Sequence, residues 1–235
     1  MRQMVTVQFY PYIVQYEDKG LGMSRKSFIM IYTMKKYIIE SIGTFFLVLT
    51  VMLTGSPISI GAVLVALVYM GGYVSGAHYN PAVTFGLLVS GNISWKEAKN
   101  YMAAQLFGGF VAAAVFTYIK SFFFTLSPGE NVSFSSAFLT EVIFTFLLVS
   151  VVHHVAVNPK VKGNQYYGLA IGMTLLAAAF SGGPISGGAF NPAVGVSPII
   201  YDVSSISLRL GNILLYSAGP LLGGALAGWL YKHLT

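Results

Sequence analysis

Ser75-Gly-Ala-His-Tyr-Asn-Pro-Ala-Val83 and Ser186-Gly-Gly-Ala-Phe-Asn-Pro-Ala-Val194 are the same phrase written twice in one chain. Asn is a good helix N-cap and Pro is preferred at the first helical position, so each phrase reads as the start of a helix after a non-helical Ser-Gly approach. The apolar stretches that follow, 80–90 and 191–200, are about half a bilayer long at about 1.5 Å per residue and cannot cross alone. Around them lie longer apolar segments near 37–56, 58–74, 101–120, 137–157, 167–185 and 211–231. Each has the length that a spanning helix needs. With 55% hydrophobic and only 9% charged residues, against roughly a quarter charged in soluble domains, the chain is not a soluble globule. The fold expected is an all-α polytopic membrane protein with six spans and two re-entrant half-helices.

The repetition extends beyond the two phrases. Glu40-Ser-Ile-Gly-Thr-Phe-Phe-Leu-Val48 lies over Glu141-Val-Ile-Phe-Thr-Phe-Leu-Leu-Val149, and Tyr101 to Ala112 lies over Tyr216 to Ala227. The matched positions run in the same order along the chain: 40 with 141, 80 with 191, 101 with 216. Each half holds three spans and one half-helix, and an odd number of spans forces the second half to insert upside down. The result is an inverted repeat, with halves of about 35–120 and 137–231, whose functional site belongs near the membrane midplane between them.

The charges agree with that topology. Lys35, Lys36, Lys96, Lys99, Lys160, Lys162 and Lys232 fall where alternation places the inner side, so both termini are expected in the cytoplasm, with the plasma (inner) membrane as the location. The formal net charge of +6 therefore reflects membrane orientation, and no basic run is long enough to bind nucleic acid. There is no cysteine, which excludes disulfides, thiolate metal sites and thiol catalysis. No metal or other cofactor is expected.

Irregular backbone at membrane depth survives only when buried in protein or lining a wet cavity. Residues 75–79 and 186–190 therefore predict a water-lined path. Inversion brings the two helix N-termini together at its centre, with two partial positive charges and two Asn amides. A cation meets repulsion there on top of its dehydration cost, so the expected traffic is small, polar and neutral. The expected partners are the lipid bilayer, water and small neutral solutes.

Two Asn-Pro-Ala boxes in Ser-Gly loops, within a duplicated six-span chain with Glu-x-x-x-Thr-Phe openings, resemble the aquaporin (major intrinsic protein) family over roughly residues 35–235. The resemblance implies a passive channel, not an enzyme, assembled as a homotetramer with a pore in each subunit. It maps the boxes onto Asn80, Pro81, Ala82, Asn191, Pro192 and Ala193, and the loop-supporting glutamates onto Glu40 and Glu141. It makes the carbonyls of Gly76, Ala77, His78, Gly187, Gly188 and Ala189 pore-lining. The family's outer constriction falls on Ile60, Ala179, Gly188 and Val194, where the family usually has Arg at the last position. An all-apolar, mostly small ring is wider and less polar than a strict water filter, as in some plant vacuolar members that also carry Asn-Pro-Ala-Val. Gly195 stands where dedicated glycerol channels usually have Asp. These signs point to water with broad neutral-solute passage. The alternatives are a facilitator of glycerol, urea or ammonia in which water is secondary, and a secondary transporter, for which Glu40 and Glu141 are the only carboxylates within the spans. Linear flux against saturation separates channel from transporter or enzyme.

Other features take plainer readings. His78 lines the inner vestibule or bonds to backbone. His153 and His154 point about 100° apart on a helix end, which suits an interfacial role better than a metal or proton site. Gly168/Gly172, Gly219/Gly223 and Gly224/Gly228 read as close helix packing. Asn92-Ile-Ser94 and Asn131-Val-Ser133 match glycosylation acceptors, a pattern common by chance. Residues 1–33 are expected to be a tail, disordered or not native, ahead of a channel domain at 34–235, because Met34 directly precedes Lys35-Lys36 and an apolar run.

Overall fold

The computed structural model describes residues 4–9, 12–17 and 25–235. Eight α-helices follow a short antiparallel hairpin, in which β1 (Met4–Phe9) pairs with β2 (Tyr12–Glu17) from Met4↔Glu17 to Phe9↔Tyr12. Of the expected tail, residues 1–3, 10–11 and 18–24 lie outside the described residues, and 25–33 are helical. The helices are α1 (Arg25–Thr54), α2 (Pro57–Ser75), α3 (Pro81–Val89), α4 (Trp95–Lys120), α5 (Phe134–Val152), α6 (Tyr167–Ser186), α7 (Pro192–Tyr201) and α8 (Leu210–Leu234). Six of them, all but α3 and α7, are long and apolar enough to cross a membrane.

Local chemistry sets the boundaries. Ser56, Ser94 and Ser133 are N-caps whose hydroxyls accept from the backbone N–H of Ser59, Glu97 and Ser136. The Ser residues of both glycosylation-like triplets are thus occupied as caps. α2 and α6 end on Gly76 and Gly187 at φ 90° and 91°, a left-handed cap that Gly adopts without steric cost. α5 runs on into a π turn at His153–Val157.

Because lipid tails are as apolar as leucine, helices associate in the bilayer through close packing at small residues. The six glycines expected to do this do so. Gly172 faces Val65 and the Gly61 carbonyl, Gly168 faces the Tyr69 ring, and Gly219 faces Glu141 Cβ. The adjacent glycines of the third span of each half do two jobs. Gly108 on α4 abuts the Ser41 carbonyl on α1, while Gly109 abuts Ser197 and the Ala193 carbonyl on α7. Gly223 on α8 abuts the Val142 carbonyl on α5, while Gly224 abuts the Ala82 carbonyl on α3. Ser41 and Val142 are repeat counterparts, and so are Ala82 and Ala193. Each half-helix is therefore seated in the opposite half: α3 against α8, α7 against α4.

Candidate functional site

The chain approaches each half-helix through residues held at positive φ. These are Gly76 (90°), Ala77 (53°) and Tyr79 (49°) in one half, and Gly187 (91°), Gly188 (73°) and Phe190 (47°) in the other. A bulky residue at positive φ is uncommon and persists only when its surroundings fix it. A buried carboxylate does so in each half. Glu40 Oε1 accepts from Ser75 Oγ (2.6 Å) and His78 N (3.0 Å), and its Oε2 from Tyr79 N (2.8 Å) and Gln105 Nε2 (2.8 Å). Glu141 Oε1 accepts from Ser186 Oγ (2.7 Å) and Ala189 N (3.0 Å), and its Oε2 from Phe190 N (2.7 Å). The same loop shape is thus held by the same backbone donors. The fourth donor to Glu40 has no counterpart, since the repeat position of Gln105 is Pro220.

The two half-helices meet at their N-termini. Asn80 Oδ1 accepts from Ala82 N (2.8 Å) and Asn191 Oδ1 from Ala193 N (2.9 Å), each capping its own helix. The amide nitrogens cross over: Asn80 Nδ2 donates to the Phe190 carbonyl (2.8 Å), and Asn191 Nδ2 donates to the Tyr79 carbonyl (2.9 Å). An amide carries two N–H bonds, so each Asn keeps one for the space it lines.

That space is a cavity of about 30 Å³ running past both Asn residues, two to three times the roughly 10–15 Å³ that one water needs. Its walls are aliphatic, among them Leu47, Val51, Leu64, Leu148, Ile171 and Leu175, with Val83 and Val152. Asn80, Asn191 and His78 are its polar residues, and Ala77, Gly188 and Ala189 of the two loops also line it. Ile60, Gly188 and Val194 also line it. Ala179, buried on α6, is not among the lining residues, and neither are Gly76 and Gly187, which instead form the C-caps of α2 and α6. Among the described residues no three His, Asp or Glu side chains cluster as metal ligands do.

Three features extend or correct the sequence reading. His78 lines the cavity and bonds to a side chain, its Nδ1 lying 3.0 Å from Thr84 Oγ1. His153 is not interfacial: it is fully buried, with Nδ1 2.8 Å from the Val149 carbonyl, Nε2 2.9 Å from Ser90 Oγ, and its ring against Tyr231. The ring fills the gap between α5, α8 and the end of α3, a contact that a view of one helix alone does not show. His154 is exposed and bonded to the Ser150 carbonyl. Lys36, counted above as an inner-side charge, is buried and paired with Glu97 at 2.8 Å, joining α1 to the start of α4. Only its place beside other charges hinted at a partner.

Comparison with known proteins bears on the family and the fold. The family described as "Major intrinsic protein" matches residues 28–231. "Probable aquaporin NIP-type" of Nicotiana alata is 30% identical over 233 residues, covering 92% of this chain and 83% of the relative. "Probable aquaporin TIP-type" of Medicago truncatula is 40% identical over 172 residues, covering 71% and 66%. The X-ray structure of the aquaglyceroporin from Plasmodium falciparum superposes with a TM-score of 0.68 at 21% identity, over 86% of this chain and 94% of that one.

Proposed function

Because the chain belongs to the major intrinsic protein family, and so is an integral membrane channel and not an enzyme, we propose that it conducts water together with small neutral solutes, passively, while excluding ions and protons. The observation that carries this is the cavity past the two crossed Asn residues, with largely aliphatic walls and Ile60, Gly188 and Val194 among its lining. A passing oxygen can accept the one remaining N–H of each Asn and donate to carbonyls of the same loops. The two helix N-termini repel a cation that has no carboxylate to meet it, since Glu40 and Glu141 already accept from protein donors on both oxygens. That occupancy also speaks against a coupled transporter, which needs an intramembrane ion site.

The constriction is assigned to Ile60, Gly188 and Val194, without Ala179, which does not line the cavity; no charged or aromatic group stands among them, and this favours passage of glycerol, urea or ammonia beside water. The channel unit is assigned to residues 34–235, with 1–33 as an added tail and both termini on the cytoplasmic side. Assembly is proposed as a homotetramer with a pore per subunit. Exposed apolar side chains such as Phe107, Leu139, Leu169 and Leu214 suit lipid or neighbouring copies.

Stopped-flow light scattering on proteoliposomes mixed with hyperosmotic glycerol tests the reading in one trace. Protein-dependent shrinkage followed by protein-dependent reswelling is expected. Shrinkage without reswelling identifies a channel selective for water. Shrinkage no faster than in empty vesicles overturns the water assignment, and reswelling alone then leaves the facilitator reading.

A further inference from the structure

The first half contains a polar chain that the second half lacks. Gln105 Nε2 donates to Glu40 Oε2 (2.8 Å) and to Thr84 Oγ1 (2.9 Å), and Thr84 Oγ1 lies 3.0 Å from His78 Nδ1. The repeat counterparts of Gln105, Thr84 and His78 are Pro220, Gly195 and Ala189. Glu141 nevertheless holds its loop in the same backbone conformation with backbone and Ser donors alone. Holding the loop therefore does not require the chain, and its purpose lies at its far end.

Following the hydrogens gives that end a direction. Glu40 accepts four donors, the pattern of a carboxylate, which is acceptor-only. A carboxylate turns the Gln105 amide so that its NH2 faces it, which fixes an assignment that the two similar amide atoms otherwise leave open. The second hydrogen of that NH2 then goes to Thr84 Oγ1. With Thr84 already accepting, its own hydrogen is left for His78 Nδ1 at 3.0 Å, since its other acceptor, Gln105 Oε1, lies at 3.4 Å. A ring whose Nδ1 accepts is the neutral tautomer with its proton on Nε2. Nε2 has no hydrogen-bond partner among the described residues and is not among the buried unpartnered atoms, while His78 lines the cavity. Gly76 lies alongside, where a Cβ would stand 3.3 Å from Nε2. The His78 ring is backed by Tyr101 at 4.8 Å between centroids, and Tyr101 is itself tied to the Ser75 carbonyl.

We infer that Gln105 and Thr84 are positioning residues that lock His78 in its Nε2–H tautomer, so that the inner half of the pore presents one fixed N–H donor to the passing molecule. The role rests on the channel reading above, but the tautomer does not. The pore is then asymmetric. Its inner half offers a side-chain donor below the central Asn pair, and its outer half offers only carbonyls and aliphatic surface at the matching place, Ala189.

The test uses the whole protein labelled with ¹⁵N-histidine, reconstituted in lipid at about pH 8, above the ordinary imidazole pKa of about 6.5. Only four histidines are present, and His78→Gln assigns the resonance by subtraction. The wild-type spectrum is expected to show His78 Nδ1 as an unprotonated, hydrogen-bonded nitrogen and Nε2 as a protonated one. A proton on Nδ1 overturns the inference without any variant being needed. Thr84→Val, which keeps shape and removes the hydroxyl, is expected to shift the Nδ1 resonance and to lower water permeability per protein roughly two- to tenfold, the range one net hydrogen bond supports. Thr84→Ser is expected to restore both. An Nδ1 resonance unchanged in Thr84→Val, or a permeability loss that Thr84→Ser does not recover, overturns it. Wild-type vesicles no leakier than empty ones would instead remove the channel reading while leaving the spectrum to decide the tautomer.

Discussion

Replacing Glu141 by Gln sets an NH2 against donors that have nowhere else to go. Its oxygens accept from Ser186 Oγ, Ala189 N and Phe190 N, and one of these donors must lose its acceptor. The expected cost is roughly 1–3 kcal/mol, read as a fall of several degrees in the thermal midpoint in detergent and a lower yield of folded protein, ahead of any change in selectivity. A well-folded Glu141→Gln protein with pH-coupled transport would contradict the structural role. Val194 is a second residue with a sharp expectation. It is 3% exposed and lines the cavity, so Val194→Arg puts a long cation into an apolar ring. Glycerol reswelling should slow by about tenfold or more, corresponding to about 1.4 kcal/mol of barrier, and by more than water-driven shrinkage. Equal loss of both rates would place Val194 outside the filter. The carboxylates and the Asn boxes were legible as chemistry because a charge or a helix-start pair inside an apolar run is conspicuous. Gln105 was equally visible as a polar residue in a span, but its purpose required knowing that Thr84 and His78 lie beside it.

At the scale of the elements, the seating of α3 on α8 depends on the absence of side chains. A Cβ at Gly228 would collide with the Gly86 carbonyl, whereas one at Gly211, near the start of the same helix, meets nothing. Gly228→Ala should therefore destabilise by about 1–3 kcal/mol, the usual cost of overpacking, while Gly211→Ala should be neutral or better, since Ala is the stronger helix former. Parallel thermal unfolding of the two variants checks this. Most helix boundaries were legible to within a few residues, because Asn-Pro, Ser caps and Gly stops are local signals. The exceptions mark where hydropathy misleads. α1 begins at Arg25, well before the apolar run near residue 37, since Arg25, Lys26, Lys35 and Lys36 hide a helix that continues past the membrane. α4 likewise begins at Trp95, its charged first turns carrying the Glu97 that meets Lys36. Hydropathy reports where lipid begins, and helices do not have to end there.

For the molecule as a whole, the absence of cysteine predicts that mercurials leave permeability unchanged. Inhibition that a thiol reagent reverses would contradict that. The inverted repeat was legible from matched residues alone, and so was the midplane site it implies. The exchange of half-helices between halves was not legible, because it rests on Gly109 and Gly224 meeting Ala193 and Ala82, contacts between segments more than eighty residues apart that no local pattern encodes.

The crossed amides also order events in time. While the ribosome has delivered only the first half, Asn80 lacks the Phe190 carbonyl, the Tyr79 carbonyl lacks Asn191, and α3 has no α8 to rest on. That half has all its spans in place and an unfinished centre, so insertion can run ahead while pore formation waits for the last helix. A chain stalled before α7 leaves the Asn80 amide and the Tyr79 carbonyl without these partners, and one stalled before α8 leaves α3 without the glycine surface at Gly224 and Gly228 that seats it.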